Sequence, residues 1–168
     1  MLSFEQTVRG VLVRGVLPEA EEQVADFNRY MRGGSMQLLK PGEFGIVLGG
    51  ELARALQVFT GDKVTLIAPQ GLVTPAAILP RLKQFKVVGI FEAGMYEYDS
   101  KFIYISLPQA QDFFGLKGAV TGVEYKVDDI ENTQNIAATM MKVLGGYPYR
   151  TKDWMEMNRN LFSALKLE

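Results

Sequence analysis

The chain has no cysteine and no histidine in 168 residues. Their absence removes disulfides, thiolate nucleophiles, Ser-His and Cys-His pairs, imidazole bases and nearly every zinc site, so neither a metal centre nor a cofactor is expected. An excess of charge is missing too. Eighteen Lys and Arg stand against 19 Asp and Glu, a net charge of −1, which gives no chain-wide attraction to nucleic acid or anionic lipid. No apolar run reaches the ~18 residues a membrane span requires, and the N-terminus lacks the charged-then-apolar layout of a signal peptide. If the chain comes from an exported or membrane protein, the export information is expected outside it. The composition is 48% hydrophobic, enough for one domain or two small ones to bury a core without staples.

Residues Leu2 to Leu17 read as extended, with β-formers punctuated by Gly10 and Gly15, either as a hairpin or as a bent strand pair. Pro18 then opens a polar helix predicted from Glu19 to about Arg32, stopped by Gly33-Gly34. Pro41-Gly42 is a turn, Phe44 to Leu48 a buried strand, and Gly49-Gly50 leads into a helix with Leu52, Ala53 and Leu56 on one side. Val64 to Ala68 and Phe85 to Phe91 read as paired strands, with Pro69 to Pro80 as a long interruption at their tip. Phe102 to Ile105 is a strand, and Ser106-Leu107-Pro108-Gln109 is a capping box for a helix ending at Gly115. A strand from Val120 to Val127 is predicted next, then a helix capped by Asp128 and Glu131 with Ile136, Ala137, Met140, Met141 and Leu144 as its apolar face. After an extended piece at Tyr147 to Tyr149, a last helix starts at Asp153 and carries Trp154, Met157, Leu161 and Leu165 at helical spacing. A seam between subdomains is expected near Leu116 to Ala119.

The run Gly45-Ile46-Val47-Leu48-Gly49-Gly50-Glu51-Leu52-Ala53, followed by Gly61-Asp62-Lys63-Val64, resembles the early signature of LolC/LolE-type permeases and their MacB-like relatives. Phe85 to Phe91, Gly94 to Asp99, Ile103 to Leu107 and the ending Asn158 to Lys166 are closer still to the lipoprotein-releasing branch. The resemblance covers almost the whole chain. It implies an α+β fold in two parts: residues 1–118 as a β-rich, Sabre-like distal subdomain with a protruding hairpin, the hook, at about 69–83, and residues 119–168 as a truncated βα, Porter-like membrane-proximal remnant. It implies a periplasmic domain of a Gram-negative inner-membrane protein, lying between the first and second transmembrane helices. The chain would begin part-way into that domain and stop before the second span.

In that family the hook captures the periplasmic lipoprotein carrier LolA beside a small pad of polar and basic side chains. Pro69-Gln70-Gly71-Leu72-Val73-Thr74-Pro75-Ala76-Ala77-Ile78-Leu79-Pro80 matches the hook in place, in its flanking prolines and in its Thr-Pro, and is slightly shorter. Its prolines would lower the entropy lost on docking, and Leu72, Val73, Ile78 and Leu79 offer apolar contacts. A plain reading of such a loop is a tip packed on its own domain. Arg81 and Lys83 are the candidate pad: Lys83 falls where the family pattern has an arginine, whereas Leu82 and Thr65 stand where polar and basic residues are expected. Lysine lacks the planar fork of arginine, so the pad contact could be weaker or shared with Arg81. The only charged residues from Lys63 to Phe91 are Lys63, Arg81, Lys83 and Lys86, whereas Glu92 to Glu131 holds eight acids against three bases. A basic hairpin base would steer an acidic carrier and set the on-rate.

The resemblance thus implies a docking and mechanotransmission domain, not an enzyme. A cytoplasmic LolD-like ATPase would drive the full-length, membrane-anchored permease with its sibling subunit, and lipoprotein cargo would pass to LolA for transfer to the outer membrane. LolC-like, LolE-like and hybrid subunits all remain open. A MacB-like efflux permease or FtsX-like signalling permease is the alternative within the superfamily. An enzyme using carboxylates alone, with Glu92, Glu97 and Asp99, is the alternative outside it, although surface acids near a turn are the ordinary case. Gly49-Gly50 lacks the Lys of a P-loop and the spacing of a dinucleotide site, so turn chemistry is expected there.

Overall fold

The structure, a computed structural model, describes residues 1–73 and 78–158. The described residues form a mixed α/β arrangement around one sheet of eight strands. The strands are β1 (Leu2–Phe4), β2 (Thr7–Arg9), β3 (Leu12–Val16), β4 (Met31–Gly34), β5 (Gly45–Gly49), β6 (Lys63–Val73), β7 (Ile78–Phe91) and β8 (Phe102–Ser106). Their order is β2-β1-β6-β7-β5-β8-β3, with β4 branching onto β7. Helices α1 (Pro18–Val24), α2 (Gly50–Leu56) and α3 (Tyr96–Lys101) lie in connections between strands, and α4 (Leu107–Phe114), α5 (Thr133–Leu144) and α6 (Trp154–Met157) follow β8 in the chain. Two units separate, Met1–Glu124 and Tyr125–Glu168.

Strands β5 and β8 are apolar at consecutive positions because both of their faces are covered. Ile46, Leu48, Ile103 and Ile105 point to one side, where they meet Val64, Leu66, Phe85 and Val87 under α2 and Ala110 of α4. Val47 and Tyr104 point to the other, against Met36, Leu39, Val16 and Phe91. Each such side chain removed from water contributes roughly 1.5–3 kcal/mol. The ladder of β7 on β5 shifts register between Ile46 and Val47, where Val88 is the extra residue. This bulge turns the end of β7 so that Phe85 and Val87 serve the first core while Phe91 serves the second.

Several local expectations are met. Leu2–Phe4 and Thr7–Arg9 make an antiparallel hairpin, and β3 crosses to the far edge, parallel to β8. Gly115 and Gly145 close α4 and α5 in the left-handed conformation. Others are corrected. The helix expected from Glu19 to Arg32 ends at Val24, and Met31–Gly34 is a strand on β7. Phe27 explains the change: its ring packs edge-on against Phe91 and Tyr104, and a continuous exposed helix would not deliver it there. Val120 to Val127 forms no strand; Val120, Val123 and Tyr125 are exposed, and β-propensity without a neighbouring strand does not make a ladder. The helix after it starts at Thr133 instead of Asp128. Ser106 does not close a capping box, because its hydroxyl donates to the Gln109 side-chain oxygen at 2.8 Å. Tyr147 and Pro148 lie in a turn. Asp153 caps α6 by accepting from Glu156 N, and Leu161 and Leu165 lie outside the described residues.

Candidate docking site

Strands β6 and β7 pair antiparallel from Lys63↔Lys86 to Ala68↔Arg81, and again at Leu72↔Leu79 and Val73↔Ile78. The interruption expected from Pro69 to Pro80 is therefore narrower, since strand structure runs to Val73 and resumes at Ile78. Between the two stretches, Pro69, Gln70 and Gly71 face the single residue Pro80 across the ladder. The bulge forces a close approach that only glycine permits. A Cβ on Gly71 would overlap the Leu79 carbonyl oxygen outright and lie 2.9 Å from Pro80 Cα. Among the described residues, the pairs past Ala68 and Arg81 join these two strands to each other alone, whereas β1 joins β6 at Thr65 and Leu66. Thr74, Pro75, Ala76 and Ala77 lie outside the described residues.

Alternation along the strands sorts the pad residues onto two faces. Arg81 and Lys83 oppose Ala68 and Leu66, on the face of the core, whereas Leu82 opposes Ile67 and Thr65 opposes Gln84 on the other. Arg81 is not aimed outward: its Nη1 donates to the Phe113 carbonyl oxygen at 2.8 Å, and the position a Gly115 Cβ would occupy is 3.0 Å from that nitrogen. The guanidinium thereby occupies the C-terminus of α4, where a cation satisfies an otherwise unbonded carbonyl and the negative end of the helix dipole. Lys83 Nζ lies 3.9 Å from the centre of the Phe44 ring, a cation–π contact on an exposed side chain. Exposed apolar surface at the hairpin base comes from Leu79 and Leu82, which are 54% and 60% exposed. By sequence Leu82 marks only a departure from a polar pattern. Its alternation with buried Phe85 and Val87 on β7 was the signal that it faces water.

The acidic residues are engaged locally. Asp99, 5% exposed, accepts from the backbone N–H groups of Ala93 at 2.7 Å and Gly94 at 3.1 Å. Glu92 pairs with Arg32 Nε at 3.1 Å and Arg54 Nη2 at 3.2 Å, and Arg54 also meets Glu51 at 2.7 Å. These side chains border an open crevice of about 550 Å³ that Arg29, Tyr30 and Tyr96 also line. Among the described residues there is no group of three carboxylates able to hold a metal ion. Gly49 is dictated by packing, because a Cβ there would strike the backbone of Asp99, whereas one on Gly50 would meet only the Glu92 side chain, with Cγ at 2.7 Å. Among the described residues, no helix is long and apolar enough to cross a membrane.

The hairpin thus combines strands that outrun their sheet with a base pinned to the end of α4. The model of the MacB-like periplasmic core domain matches residues 2–143, and the chain belongs to that family. Within it the chain is similar to the lipoprotein-releasing system transmembrane protein LolC of Neisseria meningitidis serogroup B, 40% identical over 168 residues, all of this chain and 40% of that protein. It is 38% identical to LolC of Xylella fastidiosa over 157 residues, 94% of the chain and 38% of that protein. LolE of Haemophilus influenzae is 30% identical over 140 residues, 82% of the chain and 32% of that protein. The chain thus spans about two fifths of the length of the curated relatives it matches most fully. The resemblance read from the sequence to the LolC/LolE type is borne out.

Proposed function

We propose that this domain docks the periplasmic carrier LolA on the β6–β7 hairpin, as part of an ABC transporter that releases lipoproteins from the inner membrane. The hook comprises Pro69 to Pro80, and Arg81 and Lys83 lie at its base as the pad. Movement driven by a cytoplasmic LolD-like ATPase reaches the domain through the full-length permease and its sibling subunit, and the acylated cargo passes to the docked carrier. The domain supplies binding and motion, with no catalytic step of its own, in the periplasm of a Gram-negative cell.

The observation that carries this reading is the continuation of β6 and β7 as a two-stranded ladder beyond Ala68 and Arg81. Three further residues of β7, Ile78 to Pro80, extend it by roughly 10 Å at the usual strand rise, the surplus residues of β6 being taken up by the bulge. Docking energy then comes from apolar side chains such as Leu79, and the basic residues of this stretch set the encounter rate with an acidic surface. Pull-down of purified LolA by the domain tests it. Retention by the intact domain and loss on deleting Leu72 to Leu79, or on Pro75→Gly with Ile78→Gly, is expected. Equal retention by all three proteins contradicts the hook.

A further inference from the structure

The unit Tyr125–Glu168 contains a feature that carrier docking does not use. Helix α5 ends at Gly145, and a turn closed by Tyr149 N donating to Gly146 O at 2.9 Å follows it. Both tyrosines of this turn face water: Tyr147 is 97% exposed and Tyr149 57%. Val143, on the last turn of α5, is 82% exposed. Basic residues flank the rings. From Lys142 to Lys152 the chain holds Lys142, Arg150 and Lys152 and no acid, although the whole molecule is balanced at a net charge of −1. The following acid, Asp153, is committed to capping α6.

Exposed tyrosines beside a bare aliphatic side chain and cations form a combination with a physical use. An aromatic ring with a polar tip is most favourably placed where hydrocarbon meets water, and Tyr is enriched at membrane interfaces for that reason. Lys and Arg at the same level gain from negatively charged headgroups within a Debye length. A protein partner could also cover tyrosines, but an acid-free basic turn and relatives that are transmembrane proteins favour a lipid surface. We propose that the segment Val143 to Lys152 is a bilayer-contacting surface that engages anionic lipid headgroups. It would hold this unit against the membrane face.

The chain carries one tryptophan, Trp154, two residues beyond Lys152, which makes a site-specific reporter. The full chain is mixed with vesicles of phosphatidylethanolamine and phosphatidylglycerol, and separately with vesicles of phosphatidylcholine alone. Binding is read by co-sedimentation and by the Trp154 emission maximum. Co-sedimentation with the anionic vesicles and a blue shift are expected. Arg150→Ser with Lys152→Ser should weaken partition about thirtyfold, from the usual gain of about 1 kcal/mol per basic residue at a charged surface. Tyr147→Ser with Tyr149→Ser should weaken it as well, and both pairs change exposed side chains, so circular dichroism should stay as in the parent. Absence of binding to either vesicle overturns the proposal and leaves a protein surface as the cover. Equal binding to both vesicles, or binding untouched by the tyrosine pair, overturns it too. Deleting Leu72 to Leu79 should leave vesicle binding unchanged, which separates this surface from the hook.

Discussion

Replacing Gly71 by alanine should detach the hairpin tip without unfolding the domain. The added Cβ overlaps the Leu79 carbonyl oxygen and sits 2.9 Å from Pro80 Cα, inside the ~3.5–4.0 Å at which carbon atoms rest. Both neighbours are backbone, so no side-chain rotation relieves the clash, and β6 must part from β7 beyond Ala68↔Arg81. The pairs lost are Leu72↔Leu79 and Val73↔Ile78, with interstrand hydrogen bonds contributing about 0.5–1.5 kcal/mol each. The core residues Val64, Leu66, Phe85 and Val87 all lie on the sheet side of Ala68↔Arg81, so the opening stays local and global stability should fall by no more than about 1–3 kcal/mol. Amide hydrogen exchange reads the effect: protection at Leu72 and Leu79 should disappear while that at Leu66 and Phe85 persists, and LolA binding should weaken. Parent-like protection at Leu72 and Leu79 would show that the close approach does not exist and refute the reasoning.

Asp99→Asn should destabilise the domain by roughly 1–3 kcal/mol in urea denaturation, because the amide oxygen can accept from only one of Ala93 N and Gly94 N and the NH2 turns a donor towards the other in a buried site. Arg81→Ala, which frees the Phe113 carbonyl at the end of α4, should cost about 1–2 kcal/mol and increase amide exchange around Phe114 to Leu116. Burial pushes the Tyr104 phenol up to about 12, opposed by the neighbouring Arg14 and reinforced by Glu21. The folded state then holds that proton after the unfolded chain has released it, so Tyr104 contributes full stability below about pH 10, losing it as pH rises towards 12. Comparing Tyr104→Phe with the parent by thermal denaturation across that range should show the parent losing stability with pH more steeply.

The central strands and helix stops were legible because their causes are local. Gly45-Ile46-Val47-Leu48-Gly49 and Phe102-Ile103-Tyr104-Ile105-Ser106 are short apolar runs of the kind that two covered faces require, and Gly115 and Gly145 sit where helices need a left-handed residue. Misreadings arose where a distant partner decides the outcome. Met31 to Gly34 carries the glycines of a helix stop, yet β7 offers an edge and takes the segment as a strand. Val120 to Val127 has the residues of a strand and meets no edge. At the candidate site, the pairing of the two strands could be read, whereas the inward turn of Arg81 could not, because the Phe113 carbonyl that holds it is 32 positions away. Nor does sequence disclose that Gly49 is required by the Asp99 backbone, which approaches it from a later part of the chain.

A photo-crosslinking residue placed at Leu79 tests the docking claim most directly, since that side chain is exposed at the start of β7. Irradiation with LolA should give a covalent adduct from Leu79 and none from Met95, an equally accessible position outside the hairpin. Adduct formation from Met95 with none from Leu79 would contradict the account.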